Sequence, residues 1–343
     1  MRFSLPRASH RSAGLFQHPL PISKPCARRA QAPENNLPPA IGSAMKRNRR
    51  RCMQYFIGVD GGGSGCRARA AFLDGGRTEI LSGGPANMSS DAETASIEIS
   101  ALLQATVTAA RTQSGSTTEP VVVIGLSGVT ESDQSAGLKA ALPYSHVTIM
   151  GDLDIAVSGA FEAEDGIVVA VGTGSILASQ RAGQIERLGG YGFLLGDQAS
   201  GAWIGREALR RALLARDGLA PDGPLVSLIW RRFDGLADML HFVNSARPAD
   251  YAALAPLVIS SEREYCPVAG AILDTACAYL ARAIAHLQAG ATDLPVAAMG
   301  GLAPALLDLM VAKGTVQLNR VAPKGSALDG ALWKARQIAR VMT

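Results

Sequence analysis

Runs of β-branched and aliphatic residues, each closed by glycine, alternate along this chain with amphipathic stretches of helical length. Residues 54–59 read as a strand that stops at the turn Gly61-Gly62-Gly63, and residues 67–73 alternate as its hairpin return. Residues 80–81 form a short strand ahead of Gly83-Gly84-Pro85-Ala86-Asn87. The pattern over 91–112 is helical, with Asp91 as N-cap and Ile97, Leu102, Leu103 and Val107 as the buried face. After a polar loop at 113–119 comes an apolar strand, 121–126, closed by Ser127-Gly128. A short helix covers 138–142 and ends at Pro143; residues 146–150 are a strand ending at Gly151-Asp152, and 155–161 start a helix.

The pattern then repeats. Residues 166–171 are a strand running into Gly172-Thr173-Gly174-Ser175, with 176–180 as its partner. Helices are expected over 201–215, 242–257 and 268–289, a last apolar strand over 295–299 before Gly300-Gly301, and a closing helix over 326–342. Two rounds of strands followed by helices predict an α/β architecture of two similar domains around a cleft. The expected bounds are 53–152 for the first domain and 153–325 for the second, with the closing segment 326–343 returning to the first.

Composition sharpens this only at the front. The 343 residues are 48% hydrophobic and 18% charged, as in an ordinary globular protein. Residues 1–52 hold eleven Lys and Arg against one acid, Glu34, a net of +10, so the overall +4 hides a body of net −6. Seven prolines break up that leader, which is expected to be disordered. It lacks the apolar core of a signal peptide. A targeting peptide, a basic arm for nucleic acid and an early start ahead of Met45 or Met53 are the readings, and Met53, directly before the first strand, favours the last.

Aromatic residues make up 5% of the chain, which argues against a base-stacking surface for nucleic acid. The five cysteines and five histidines are scattered without metal-ligand spacing, which argues against structural zinc and a disulfide framework and fits a reducing cytoplasm. No run of about 20 uncharged apolar residues is present to cross a bilayer. No nucleic-acid or membrane partner is expected.

The chemistry gathers at the glycines. A strand ending in a glycine turn with a hydroxyl residue offers bare amides to an anion, and no Cβ blocks the approach. Asp60-Gly61-Gly62-Gly63-Ser64 and Gly172-Thr173-Gly174-Ser175 both have that form, and two such turns suit one polyphosphate held between two domains. Neither a GxxxxGK[ST] loop nor a complete GxGxxG fits, since Cys66 stands at the third glycine of the latter. Asp60 lies where a nucleotide-bound Mg²⁺ would sit.

Asp152 ends one strand of the sheet edge that the second glycine turn also reaches, so its carboxylate suits deprotonation of an attacking hydroxyl. Helix capping is its competing role, and Asp154 rivals it for both. The stretch 189–205, GGYGFLLGDQASGAWIG, is too rich in glycine for a plain helix or strand. It reads as a ligand loop, with Asp197 accepting from hydroxyls.

Together these stretches resemble the BadF/BadG/BcrA/BcrD-type ATPase family, and within it the N-acetylglucosamine and glucosamine kinases of the sugar kinase, Hsp70 and actin superfamily. The resemblance spans residues 53–343, and 189–205 looks like that family's GGWGxxxGDEGSxxWIG block. It implies two ribonuclease H-like, actin-like ATPase domains with a nucleotide cleft between them. It also implies that Ser64 and Thr173 contact ATP phosphates, that Gly300-Gly301 is the adenosine-binding turn, and that Asp152 is the catalytic base. Asn87, Gly190, Tyr191, Gly192 and Asp197 match sugar-contacting positions. Departures are Ser64-Gly65-Cys66 for Thr-Lys-Thr, Gly151 and Leu153 beside the base, Tyr191 for tryptophan, and Gln198-Ala199 for Glu-Gly. Cys66, Cys266 and Cys277 do not form the pattern of the relatives that carry an iron–sulfur cluster, and the cysteine-rich zinc motif of ROK-type glucokinases is absent.

The resulting expectation is a cytoplasmic, ATP- and Mg²⁺-dependent hexosamine kinase acting on glucosamine or N-acetylglucosamine, most simply at the 6-hydroxyl. An ATPase module that activates a partner protein and a non-catalytic sugar sensor are the alternatives. The oligomeric state stays open, a homodimer among the options.

Overall fold

In the computed structural model, residues 54–129, 134–289 and 293–342 are described. The expected disorder of 1–52 and the start at Met53 lie outside them.

The first half follows the expected order: β1 (Tyr55–Gly62), β2 (Gly65–Phe72), β3 (Leu81–Gly83), α1 (Ala92–Ser114), β4 (Val121–Leu126), α2 (Gln134–Ala141), β5 (His146–Gly151) and α3 (Asp152–Phe161). Its sheet runs β3-β2-β1-β4-β5, with β1, β4 and β5 parallel and β2 and β3 antiparallel. The second half holds β6 (Gly166–Val171), β7 (Ser175–Arg181), β8 (Gln184–Gly189), α4 (Gly201–Arg216), α5 (Pro224–Trp230), α6 (Leu236–Ser245), α7 (Pro248–Ala252), α8 (Ala255–Arg263), α9 (Pro267–Gln288), β9 (Val296–Met299), α10 (Ala303–Ala312), β10 (Arg320–Val321) and α11 (Ala327–Met342).

The second sheet, β10-β9-β6-β7-β8, repeats the first strand for strand: a hairpin and a third antiparallel strand on one side of the central strand, two parallel strands on the other. Two copies of this five-stranded pattern make the expected pair of ribonuclease H-like domains.

The repeat explains the core. Ile57, Val59, Ile124 and Leu126 pack with Ile99 and Leu103 of α1 on one face of the first sheet. Phe56, Val121 and Val123 pack with Ala331, Leu332 and Ala335 of α11 on the other. The helix over 327–342 therefore packs on the first sheet. Helix α3 lies between the halves: Ile155 joins α11, whereas Leu153, Val157 and Phe161 pack with Val168, Ala178 and Ala297 of the second sheet.

Several expectations change. Ile97 is 62% exposed, whereas Leu102, Leu103 and Val107 are buried as expected, and Ala95, Ile99 and Ala110 complete the stripe of α1. The single helix over 242–257 is three, because Pro248 and Pro256 each sit in a first turn, where a missing N–H is harmless. The edge strand β8 and helices α5 and α10 were not anticipated. Helix α9, at 22 residues, has the length and apolarity of a membrane span. It carries Asp274 and Arg282, and one face, from Val268 to Leu287, lies in the core of the second half.

Candidate active site

In the first sheet, register places Gly61, Leu126 and Gly151 side by side at the carboxyl ends of β1, β4 and β5. The residues just beyond them therefore share one edge, the place where open α/β sheets bind ligands. They are the Gly63-Ser64 turn, Ser127 and Asp152.

Asn87 joins them through a parallel bridge with Ser127. Its Oδ1 accepts from Ser89 N (2.9 Å), Ser89 Oγ (2.8 Å) and Ser90 N (3.3 Å). That pins the side chain and turns its Nδ2 toward Ser127 Oγ, 3.5 Å away. Asp60 sits across the hairpin from Arg67 and pairs with it at 2.6 Å.

Asp152 opens α3. Its Oδ1 accepts from Leu153 N at 2.8 Å. Burial pushes its pKa above the ordinary carboxylate range, and repulsion from Asp60 and Asp154 adds to this, against hydrogen bonds from Leu153 and Ser127. Asp154 differs in its partners. Asp154, at the third helical position, accepts from Gly151 N (3.2 Å) and holds Arg187 Nη2 with both oxygens at 2.6 and 2.7 Å. Asp154 thus caps the helix, whereas Asp152 accepts hydrogen bonds from Leu153 and Ser127 alone among the described residues.

The second sheet builds a matching edge. Gly172 and Thr173 give their carbonyls to the first amides of α4, Gly201 N (2.8 Å) and Ala202 N (3.1 Å), and Leu302 N bonds Val171 O (3.0 Å). The turns at Gly172–Gly174 and Gly300-Gly301 are thereby fixed side by side at the ends of β6 and β9. Asp197, with φ +56°, tucks under Gly174, 3.5 Å from Ser175 N. Its pKa is raised by burial, partly offset by the amides of Ser175 and Gly192. Gly190 donates its N–H to Ser175 O (3.2 Å), Gly192 accepts from Gly196 N (2.7 Å), and Tyr191 is 76% exposed.

The glycines divide into two kinds. A Cβ on Gly61 would lie 2.5 Å from Leu126 Cδ2, one on Gly190 2.6 Å from Ile176, and one on Gly300 2.5 Å from Val171 O. These three serve packing, and the positive φ of Gly190 and Gly300 adds to the requirement. Gly62, Gly63, Gly172 and Gly301 have neither a positive φ nor a neighbour closer than 3.7 Å. Among the described residues no contact requires glycine there, and the open space lies at the two sheet edges. These bare turns leave room for a polyphosphate, and Asp60, the carboxylate beside them, could face an accompanying cation only in exchange for its Arg67 partner. Among the described residues no cluster of three His, Cys, Asp or Glu forms a metal site of the protein's own.

A cavity of about 470 Å³ adjoins this loop, lined by Leu188, Tyr191, Leu195, Gln198, Tyr279 and Arg282 among others. Sequence reasoning missed Arg187, Tyr279 and Ser127 as neighbours of the site. Arg187 lies on an edge strand without a hydrophobic signal, and Tyr279 sits in a helix that reads as plain core.

Ala199 stands at φ +68° where the related block has glycine, and it is wholly buried. A left-handed backbone costs a side-chain-bearing residue about 1–2 kcal/mol. Ala199→Gly is therefore expected to hold or raise stability, whereas Ala202→Gly, inside α4, loses about 1 kcal/mol. Urea unfolding of the two variants checks this, and equal losses would show that Ala199 is not strained.

The BadF/BadG/BcrA/BcrD ATPase family profile matches residues 57–331. The glucosamine kinase GspK of Vibrio cholerae is 30% identical over 288 residues, 82% of this chain and 95% of that protein. An N-acetylmuramic acid/N-acetylglucosamine kinase of Clostridium acetobutylicum is 31% identical over 48% of this chain and 55% of its own. The crystal structure of a Chromobacterium violaceum protein, provisionally named an N-acetylglucosamine kinase, superposes with a TM-score of 0.72 at 34% identity, covering 82% of this chain and 98% of that one. With its duplicated sheet and two glycine-lined edges, this chain belongs to the BadF/BadG/BcrA/BcrD ATPase family.

Proposed function

We propose that this chain is an ATP-dependent hexosamine kinase that phosphorylates glucosamine or N-acetylglucosamine at the 6-hydroxyl. The observation that carries the reading is the half-buried carboxylate of Asp152, which has no cationic partner among the described residues and stands at a sheet edge lined with glycines that meet no close neighbour. Relatives named as glucosamine and N-acetylglucosamine kinases support the substrate class. The roles of the individual residues rest on the geometry and the resemblance.

Gly62, Gly63 and Ser64 would meet phosphate oxygens from one side, and Gly172, Thr173 and Gly174 from the other, with Gly300-Gly301 against the adenosine. Asp60 would hold the Mg²⁺ that accompanies ATP, and that ion supplies charge neutralisation on the phosphates. Asn87 Nδ2, the amides at Gly190–Gly192 and Asp197 would orient the sugar. Asp152 accepts the proton of the attacking hydroxyl as its oxygen bonds to the γ-phosphorus. The bond from that phosphorus to the β,γ-bridging oxygen breaks, and ADP leaves. Positioning and fixed dipoles supply most of the rate. The protein would work as a cytoplasmic enzyme on a small-molecule substrate, with a homodimer as the assembly to test for.

An ATP-consumption screen over glucosamine, N-acetylglucosamine, N-acetylmuramic acid, glucose and no sugar tests this. Turnover confined to hexosamines, with 6-phosphate product by NMR, is expected. ATP hydrolysis without sugar would favour the partner-activating module instead. Asn87→Ala is expected to raise KM for the sugar about three- to tenfold, the loss of one hydrogen bond worth about 0.5–1.5 kcal/mol, and Asp197→Ala at least as much. Neither should move KM for ATP by as large a factor. Unchanged sugar KM in both variants would put the sugar elsewhere.

A further inference from the structure

We propose that the Arg187–Asp154 ion pair is a positioning clasp that holds the start of α3, and with it Asp152, in register with the sugar-contacting loop that begins at Gly189. The inference rests on the reading of Asp152 as the base.

The geometry is direct. Asp154 lies two residues after Asp152, and its Oδ2 also accepts from Gly151 N, the amide just before Asp152. One carboxylate therefore fixes the backbone on both sides of Asp152. Arg187 lies two residues before Gly189, on the edge strand β8, and pairs in register with Ala178 of β7. The pair therefore ties the β5–α3 junction of the first half to the strand that leads into the sugar loop of the second. Its Asp154 end is 16% exposed and its Arg187 end 51%. Exposed ion pairs add little to stability, so a pair spanning two candidate site elements is better explained by placement than by stabilisation.

The charges around Asp152 make the clasp separable from a structural role. Asp154 acts on it from its own helix and Asp60 from β1, the latter paired with Arg67. Strands β4 and β6 carry no charged residue, and His146 is at the opposite end of β5. Arg181 of β7 binds the carbonyls of Leu287 and Ala289. On α11, Asp329 is engaged by Arg77, Lys334 lies over Trp333 and Arg336 over Phe56; Arg340, near the end of that helix, is also engaged. Removing Arg187 leaves the Asp154 charge uncompensated next to Asp152, whereas removing the Asp154 charge leaves Arg187 uncompensated. The two changes push the Asp152 carboxyl in opposite directions.

The test is steady-state kinetics of full-length R187Q, D154N and the double variant with N-acetylglucosamine and Mg·ATP, together with the pH dependence of kcat/KM and thermal melting. A misplaced catalytic group can cost up to about 10²-fold, so each single variant is expected to lose about tenfold or more in kcat, with KM for ATP nearly unchanged. The double variant should be no slower than the slower single one. The acid limb of the profile should move up in pH for R187Q, down for D154N, and return near wild type in the double variant. R187K, which keeps the charge, should restore the limb even if D154N melts early through loss of its cap. An R187Q variant within twofold of wild type in kcat with an unmoved acid limb overturns the clasp, as does a limb that moves the same way in both single variants. A clasp that fails while Asp152→Asn still abolishes turnover leaves the base assignment intact; turnover that survives Asp152→Asn removes both.

Discussion

Asp152→Asn is expected to lower kcat about 10²–10⁴-fold, the usual contribution of general acid–base catalysis, while sugar KM changes far less. The amide keeps the shape and the bond from Leu153 N but cannot take a proton. The same substitution should not harm the fold. A carboxyl whose folded pKa is raised stabilises the native state at low pH, and that contribution is lost as pH rises through the folded value. At neutral pH the half-buried Asp152 carboxylate is therefore a net cost, and the amide removes it. The variant should melt at or above the wild-type temperature at pH 7, with the advantage gone below the ordinary carboxylate range. In wild type, kcat/KM should fall on its acid side at a pH above that range. A variant that keeps wild-type turnover would overturn the assignment of Asp152. One that loses turnover together with its fold would show that Asp152 is structural.

The largest stability effect is expected where α3 and α11 cross. A Cβ on Gly330 would lie 1.9 Å from Ile155 O and 2.4 Å from Gly159 N, and one on Gly159 would lie 2.1 Å from Ser326 O. The two helices meet backbone to backbone. Helix propensity alone says Gly330→Ala gains about 1 kcal/mol. Overpacking costs about 1–3 kcal/mol and more when backbone rather than a side chain must move, so packing wins. A fall in melting temperature of several degrees is expected. Gly270→Ala in α9, where a new Cβ meets nothing within 4 Å, is the control and should stabilise. If both variants stabilise, the crossing is looser than described here. Because α3 begins with Asp152, Gly330→Ala should also slow turnover.

The parts of the fold written in hydrophobic pattern were legible. The runs at β1, β4 and β6 are apolar because both faces of these central strands are covered, and the glycines after them stand out against that background. What escaped was set by distant partners. The edge strand β8, QIERLG, has no buried face to announce it. Ile97 looks apolar enough for the core, but the stripe set by Ile99 and Leu103 turns it to solvent. Asp152 and Asp154 are indistinguishable as residue types near a helix start, and only Arg187, thirty-three positions on, separates them. The glycines of the first turn read alike too, although Gly61 answers to Leu126 and Gly63 to no protein atom closer than 3.8 Å.

The return of α11 to the first sheet has a consequence for synthesis. Phe56, Val121 and Val123 wait for Ala331, Leu332 and Ala335, so one face of the earliest sheet stays bare through the synthesis of the whole second half. The half translated first cannot close until residues 327–342 have been made. A nascent chain stalled before residue 327 should therefore be sticky and protease-sensitive in its N-terminal half, and release of the last helix should be the step that makes it resistant.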